Sequence, residues 1–345
     1  ARLPDCPTAR LASEASVTRI VRPLALLGAL LVLNFALPRL LPGDPVGYLQ
    51  AGGGQDMPVA LSPEARARLL RYYGLDRPLP AQFGHYLLAT AHGDLGFSIH
   101  FNQPVGALVA HRIGWTLLLA GGSLALAAGL GWLLGLAVAW RARSGWATAL
   151  GLAAVLAGSL PEFVVGLALL VLLAVTWPLF PTGGALAPFQ VCGGGRLLAC
   201  AGDAARHAVL PGLTLTLAHL PAFFLLARGA VVQELGAGYV AVARAKGLAE
   251  PAVALRHVAR NAAAPALAYL AARVGLLLGG VVIVETLFAY PGLGQLTFVA
   301  IEARDYPLLE ALFLIFGLAV LAAGLLGDLL LARLDPRRRY GVARL

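Results

Sequence analysis

Six stretches of this 345-residue chain are apolar over membrane length, at about residues 17–41, 113–139, 146–176, 209–227, 266–288 and 307–331. A helix needs about 20 apolar residues to cross the hydrocarbon of a bilayer. Inside it every backbone polar group must be paired within the protein, which a helix does by itself. Composition agrees: 59% of the residues are hydrophobic and 12% charged, against roughly 25% charged in soluble domains. The expected fold class is an all-α polytopic membrane protein with six transmembrane helices. Trp115 and Trp140 bracket the second stretch as an aromatic belt would. The third is long for one crossing, and Pro161 is expected to kink it. Pro221 is placed to bend the fourth, while Gly275 and Gly279 give the fifth a small-xxx-small spacing suited to close packing.

The net charge of +9 raises nucleic acid as a partner, but its distribution points to a membrane. Of the 26 Lys and Arg, 16 fall on the side that holds both chain ends, nine on the other, and one, Arg273, deep within a span, with Arg19, Arg22 and Arg39 at the ends of the first stretch counted to the sides they flank. That is the positive-inside pattern, with both termini cytoplasmic. The layout is then a polar, weakly structured tail at 1–16, a first span at 17–41, an outer loop subdomain at 42–112, and a core at 113–345. The chain does not open on Met, so its start is expected to be processed or renumbered, and no cleavable signal is evident. In the outer loop, Ser62-Pro63-Glu64 reads as an N-cap, a first-turn proline and an acid matched to the helix dipole. A second outer loop, 177–208, is rich in Gly and Pro and is expected to be irregular.

One polar segment, 228–265, lies between two of the apolar stretches. Gly238-Tyr-Val-Ala-Val-Ala-Arg-Ala-Lys-Gly247-Leu248, then Glu250-Pro251 and Arg256-His257-Val258-Ala259-Arg260-Asn261, reads as helix, glycine stop, helix. Ala237, Ala241 and Ala245 recur at i, i+4 and leave one face smooth. Arg244 and Lys246 place positive charge at the helix end, Gly247 suits the left-handed position after it, and Pro251 suits the first turn of the next helix. A basic helix–turn–helix also suits DNA, but membrane-length flanks argue against that reading.

These residues resemble the EAA-type coupling loop of binding-protein-dependent ABC importer permeases, and more narrowly the dipeptide/oligopeptide/nickel branch, the first of its two permease subunits. The carry-over falls on Tyr239, Ala241, Arg244, Ala245, Lys246, Gly247, Arg256, His257, Arg260 and Asn261. Leu40-Leu41-Pro42-Gly43-Asp44-Pro45, Gly93-Asp94-Leu95-Gly96-Phe97-Ser98, Ser159-Leu160-Pro161-Glu162-Phe163, Glu285 with Pro291-Gly292-Leu293-Gly294, and Asp335-Pro336-Arg337 are similar to family stretches in the family's order. Ala263-Ala264 departs from it, where the family carries bulkier aliphatics. The resemblance covers about residues 19 to 341. It implies a type I ABC importer permease fold in a bacterial inner membrane, with membrane lipid around it. The implied partners are a second homologous permease subunit, two cytosolic ATPase subunits that dock on the loop, and a soluble or lipid-anchored binding protein that delivers peptides or a related small solute. ATP and Mg would be held by the ATPase subunits, and this chain itself is expected to hold no cofactor.

Chemistry of its own is not evident in the chain. It has no phosphate-binding G-x-x-x-x-G-K-[ST], no H-E-x-x-H and no G-x-S-x-G. His85, His92, His100 and His111 share the first outer loop; an entry site for a metal and a scatter of surface histidines both fit them. No Cys/His spacing marks a metal site. Cys192 and Cys200 fit either a disulfide on an oxidising outer face or two free thiols. Ionisable groups inside spans are functional by default, which singles out Glu162, Arg273 and Glu285 as path or gate residues. Arg273 could also pair with Asp328 or reach the inner surface. Against the importer stand a passive channel or ion-coupled carrier, an export permease with the same coupling logic, and a membrane-embedded enzyme, for which no facing catalytic pair is seen.

Overall fold

A computed structural model describes residues 7–40, 62–72, 76–141, 144–187 and 197–334. They are almost wholly helical and fall into two compact units, one drawn from the described residues of 7–111 and 296–322, the other from those of 112–295 and 323–334.

In the first unit, helix α1 spans Pro7–Leu40. It therefore reaches back into the tail expected to be weakly structured, and it continues two residues past Pro38. Pro7 at its start lacks the N–H that a first turn leaves unpaired. Helix α2, Pro63–Tyr72, begins where Ser62-Pro63-Glu64 places it. Helix α3, Leu79–Ala91, follows Pro78, and a two-residue hairpin pairs Phe97 with Pro104 and Ser98 with Gln103. Phe35 of α1 packs edge-on to Phe83 of α3, ring centroids 5.1 Å apart. Asn34, also buried, donates to the Tyr86 hydroxyl at 2.9 Å and the Glu310 carbonyl at 2.6 Å. Asp305 accepts from Ser98 Oγ and the His100 amide, so one buried carboxylate closes the hairpin turn. A cavity of about 340 Å³ opens beside it, lined among others by Arg39, Arg77, His85, Asp94 and Glu310.

The second unit is built on helices that cross one another closely. Helix α4 is Val105–Ala139, α5 is Gly145–Gly158, α6 is Glu162–Leu170 with a wider π turn at Val171–Thr176, and α7 is Leu197–Leu235. The polar segment folds as α8, Gly238–Ala245, and α9, Glu250–Ala252. A π turn, Val253–Val258, leads into α10, Ala259–Leu287. Two helices complete the chain order, α11, Leu293–Glu302, and α12, Tyr306–Leu334.

Three described helices are long and apolar enough to cross a bilayer, Val105–Ala139, Leu198–Leu235 and Tyr306–Gly327, and the bent pair Gly145–Gly158 with Glu162–Thr176 adds a fourth if it is one span. The other two expected spans, 17–41 and 266–288, lie on α1 and α10, where the side chains of 274–280 and several of 7–23 fall outside the described residues. So do those of Gly275 and Gly279. The third span is broken rather than kinked, with 96° between its halves. Pro161 forces the residue before it out of the helical region and itself sits extended, ψ 143°, as the entry to α6. Residues 197–208, expected within an irregular loop, are instead the first turns of α7. Leu197-Leu-Ala-Cys-Ala carries good helix formers and no Gly or Pro, and Asp203 anchors it by accepting from the Ala187 amide at 2.6 Å.

The α4–α7 crossing is set by two glycines. A Cβ on Gly131 would lie 2.9 Å from the Phe224 amide nitrogen, and one on Gly135 would lie 2.8 Å from the Phe224 carbonyl oxygen. Gly131-x-x-x-Gly135 thus lets two backbones meet, as small-xxx-small pairs do in membranes. Gly129, on the same helix, has nothing within 4 Å of a built Cβ. We expect Gly131→Ala and Gly135→Ala each to cost about 1–3 kcal/mol through overpacking, and Gly129→Ala to be neutral or stabilising. Thermal unfolding of the detergent-solubilised protein checks this, and equal midpoints for all three variants would count against it.

Candidate functional site

The polar segment is a closed hairpin with one buried and one open face. Val240 and Ala243 of α8 pack with Val253, Val258 and Ala262, and against Ala139 and Val231. Gly247 ends α8 with φ +74°, its amide donating to the Arg244 carbonyl at 2.9 Å. Arg244 then grips Glu250 by two parallel bonds, 2.9 and 3.2 Å, and lies over the Trp140 ring at 5.9 Å. The clamp holds α8 to α9 across the glycine. Tyr239 donates to the Glu234 carboxylate. Burial first, then that carboxylate, raise its phenol above the ordinary value, and a hydrogen bond with Asn261 works the other way.

Ala241, Arg244, Ala245, Lys246, Gly247, Arg256, Arg260 and Asn261 are all exposed, and His257 is half-buried. The open face also carries Val242 at 54%, Leu248 at 41% and Leu255 at 64% exposure. These three did not stand out in the sequence, although each is an apolar residue inside a basic stretch. Exposed apolar side chains among arginines are the usual composition of a surface that another protein covers.

Glu285 lies elsewhere on α10 and is wholly buried. Its Oε1 accepts from Thr116 Oγ1 at 2.7 Å, and its Oε2 from the Gly294 and Gln295 amides at 2.7 and 3.1 Å. Thr116 Oγ1 in turn accepts from the Leu293 amide at 2.7 Å. The carboxylate thus caps the first turn of α11, whose orphan N–H groups need acceptors. The glycines of the Pro-Gly-Leu-Gly turn make room for it: a Cβ on Gly292 would fall 2.1 Å from Glu285 Oε1. The contacts of Glu285 are those of a turn anchor, which its reading as a path or gate residue did not include.

Glu162 is brought to a residue the sequence did not mark, His219, with Arg273 within electrostatic reach of both. Glu162 opens α6 just past the break. Gly166, one turn on and on the same face, is wedged between α7 and α10: its built Cβ would lie 3.1 Å from Thr214 Cγ2 and 2.7 Å from Leu287 Cδ2. That seating turns Glu162 toward the same two helices. His219 of α7 stands with Nε2 3.8 Å from Glu162 Oε1, and Arg273 of α10 acts electrostatically on both. Arg273 Nε donates to the Tyr269 hydroxyl at 2.7 Å. Glu162 Oε2 and His219 Nε2 are buried atoms with no hydrogen-bond partner among the described residues. Asp328, the other partner considered for Arg273, has a side chain outside the described residues.

Cys200 is buried and disulfide-bonded; Cys192 lies outside the described residues. Among the described residues no three His, Cys, Asp or Glu side chains gather in a group able to hold a metal ion. His92 instead bonds the Leu88 carbonyl at 2.7 Å, and His100 stacks edge-on against Phe101.

Residues 107–340 match the family of binding-protein-dependent transport system inner membrane components. A protein of Brucella suis biovar 1 named as a peptide permease is 35% identical over 324 residues, covering 92% of this chain and 97% of that one. The glutathione transport system permease protein GsiC of Pectobacterium atrosepticum is 35% identical over 326 residues, 94% and 98% of the two chains. GsiC of Salmonella typhimurium is 35% identical over 315 residues, 90% and 93%.

Proposed function

The chain belongs to the family of binding-protein-dependent transport system inner membrane components and is a permease subunit of an ABC importer; from that premise we propose how it works and what it carries. It forms half of a translocation path in the bacterial inner membrane, with six spans and both termini in the cytoplasm. The other half is a second, homologous permease. Two cytosolic ATPase subunits bind ATP and Mg and hydrolyse the ATP, while this chain holds neither. A soluble or lipid-anchored binding protein delivers the solute from outside. By analogy with the relatives' names, that solute is a peptide or a small peptide-like molecule.

The observation that carries this reading is the hairpin. A segment between α7 and α10 packs Val240, Ala243, Val253 and Val258 against Ala139 and Val231 and leaves Val242, Leu248 and Leu255 exposed, as are Arg256 and Arg260. A channel or an ion-coupled carrier has no use for such a face, because nothing in the cytosol drives it. An ATPase that closes on ATP binding moves the hairpins of the two permeases together, and α7 and α10 carry that motion to the path as a two-state change. The ATPase can bias the path only by as much as its ATP-bound form prefers one access state.

The test is reconstitution of this chain with its permease and ATPase partners in proteoliposomes. Uptake of peptide is expected only when ATP is inside and the binding protein outside. Uptake without ATP would return the channel or carrier reading, and ATP-driven transport that ignores the binding protein would favour an export permease.

A further inference from the structure

The polar cluster on α6, α7 and α10 has the composition of a substrate station. His219 is nine residues from Arg228, about 13 Å of helix, and Arg273 is eight from Pro265, about 12 Å. On the proposed topology both groups therefore lie at similar depth, well inside the bilayer. Ionisable groups there are costly and persist where they face one another or a path.

In this cluster the costs are only partly cancelled internally. Arg273 acts electrostatically on Glu162, yet among the described residues the two do not complete an ion pair within 4 Å, and Glu162 reaches His219 only at ion-pair distance. The Glu162–His219 separation of 3.8 Å is beyond hydrogen-bond length. Glu162 Oε2 and His219 Nε2 are left over, and unsatisfied buried polar atoms in a native fold call for a partner. Glu162 keeps 27% of its side chain exposed, so the cluster has an open side. It offers a guanidinium for an anionic group, a carboxylate for a cationic one, and an imidazole nitrogen for a neutral polar atom.

We propose that Arg273, Glu162 and His219 read the charges of a zwitterionic solute in transit. Arg273 receives its carboxylate and Glu162 its ammonium group, and His219 hydrogen-bonds the polar atoms between them. The Tyr269 hydroxyl accepts from the guanidinium at Nε, and the terminal nitrogens are the bidentate fork suited to a carboxylate. A short peptide with free ends carries that pair of charges. This inference rests on the importer reading above and adds the residues and the charge pattern they select.

The test uses the full reconstituted complex with its binding protein. The probes are alanyl-alanine, its N-acetyl derivative and its C-terminal amide. Uptake by each variant is divided by wild-type uptake of the same probe, so the preference of the binding protein cancels. Arg273→Gln is expected to lower uptake of the two free-carboxylate probes at least tenfold and of the amide less than twofold. Glu162→Gln is expected to lower uptake of the two free-ammonium probes similarly and spare the N-acetyl probe. Arg273→Lys, which keeps the charge, retains the discrimination. Equal losses for all three probes, or none, would overturn the proposal while leaving the importer intact. A wild-type complex that takes up none of the probes with ATP and binding protein present would overturn the peptide-importer reading, and this inference with it.

Discussion

Glu285→Ala is expected to destabilise the protein by about 3–5 kcal/mol, because it strips three donors of their acceptor in a buried place. The Thr116 hydroxyl and the Gly294 and Gln295 amides all donate to this carboxylate. Glu285→Gln keeps the shape and one acceptor oxygen, and its expected cost is about 1–2 kcal/mol. The sharper test is the pairing with Gly292. A Cβ there would sit 2.1–2.2 Å from the carboxylate atoms, so Gly292→Ala alone should cost as much as Glu285→Ala. In the Glu285→Ala background the obstacle is gone, and adding Gly292→Ala should cost far less than it does alone. Two groups in direct contact are expected to show such a coupling, where distant ones add. Thermal unfolding in detergent measures all four corners of the cycle. Additive losses would mean that the glycine serves something other than the carboxylate.

Much of this architecture was legible without coordinates, and the reasons divide cleanly. Apolar run length and the placing of Lys and Arg are one-dimensional quantities, so they announce a multi-pass membrane protein. The Gly247 stop and the Ser62-Pro63-Glu64 start are local, decided within a few residues of chain, and both take the form expected. The Gly131–Gly135 pair was readable by the same spacing rule that singled out Gly275 and Gly279. What sequence did not carry are partnerships closed across the fold. Thr116 meets Glu285 from 169 positions away; no spacing encodes that, so the turn Glu285 anchors was not legible. His219 is the one histidine of the apolar stretch 209–227, and only the packing of Gly166 between two neighbours brings Glu162 beside it. The break at Pro161 was foreseen as a bend, but its 96° depends on Ser159 and Leu160 leaving the helix together.

The hairpin is where a small change should silence the whole transporter. Gly247→Pro is expected to lower ATP-driven uptake at least tenfold, a coupling loss of about 1.4 kcal/mol or more, while the chain still inserts in the membrane. Proline holds φ near −65°, and residue 247 sits at φ +74° with its amide bonded to the Arg244 carbonyl at 2.9 Å. The substitution therefore cannot keep the turn, and the Arg244–Glu250 clamp on either side of it must open. Gly247→Ala meets only the left-handed strain of a side chain, about 1–2 kcal/mol, with nothing within 4 Å of the added Cβ, and should retain most of the uptake. That contrast separates the shape of the turn from its size. A second pair of variants separates folding from docking. Val242 and Leu255 are more than half exposed, so Val242→Glu and Leu255→Glu leave the hairpin core of Val240, Ala243, Val253 and Val258 untouched. If the open face seats an ATPase, the two charges abolish co-purification of the ATPase subunits as well as uptake, with the thermal midpoint of the permease unchanged. Retained co-purification and normal uptake in these two variants would move the docking face elsewhere. A lowered midpoint would instead place both residues in the permease's own packing, against the exposure from which their role is argued.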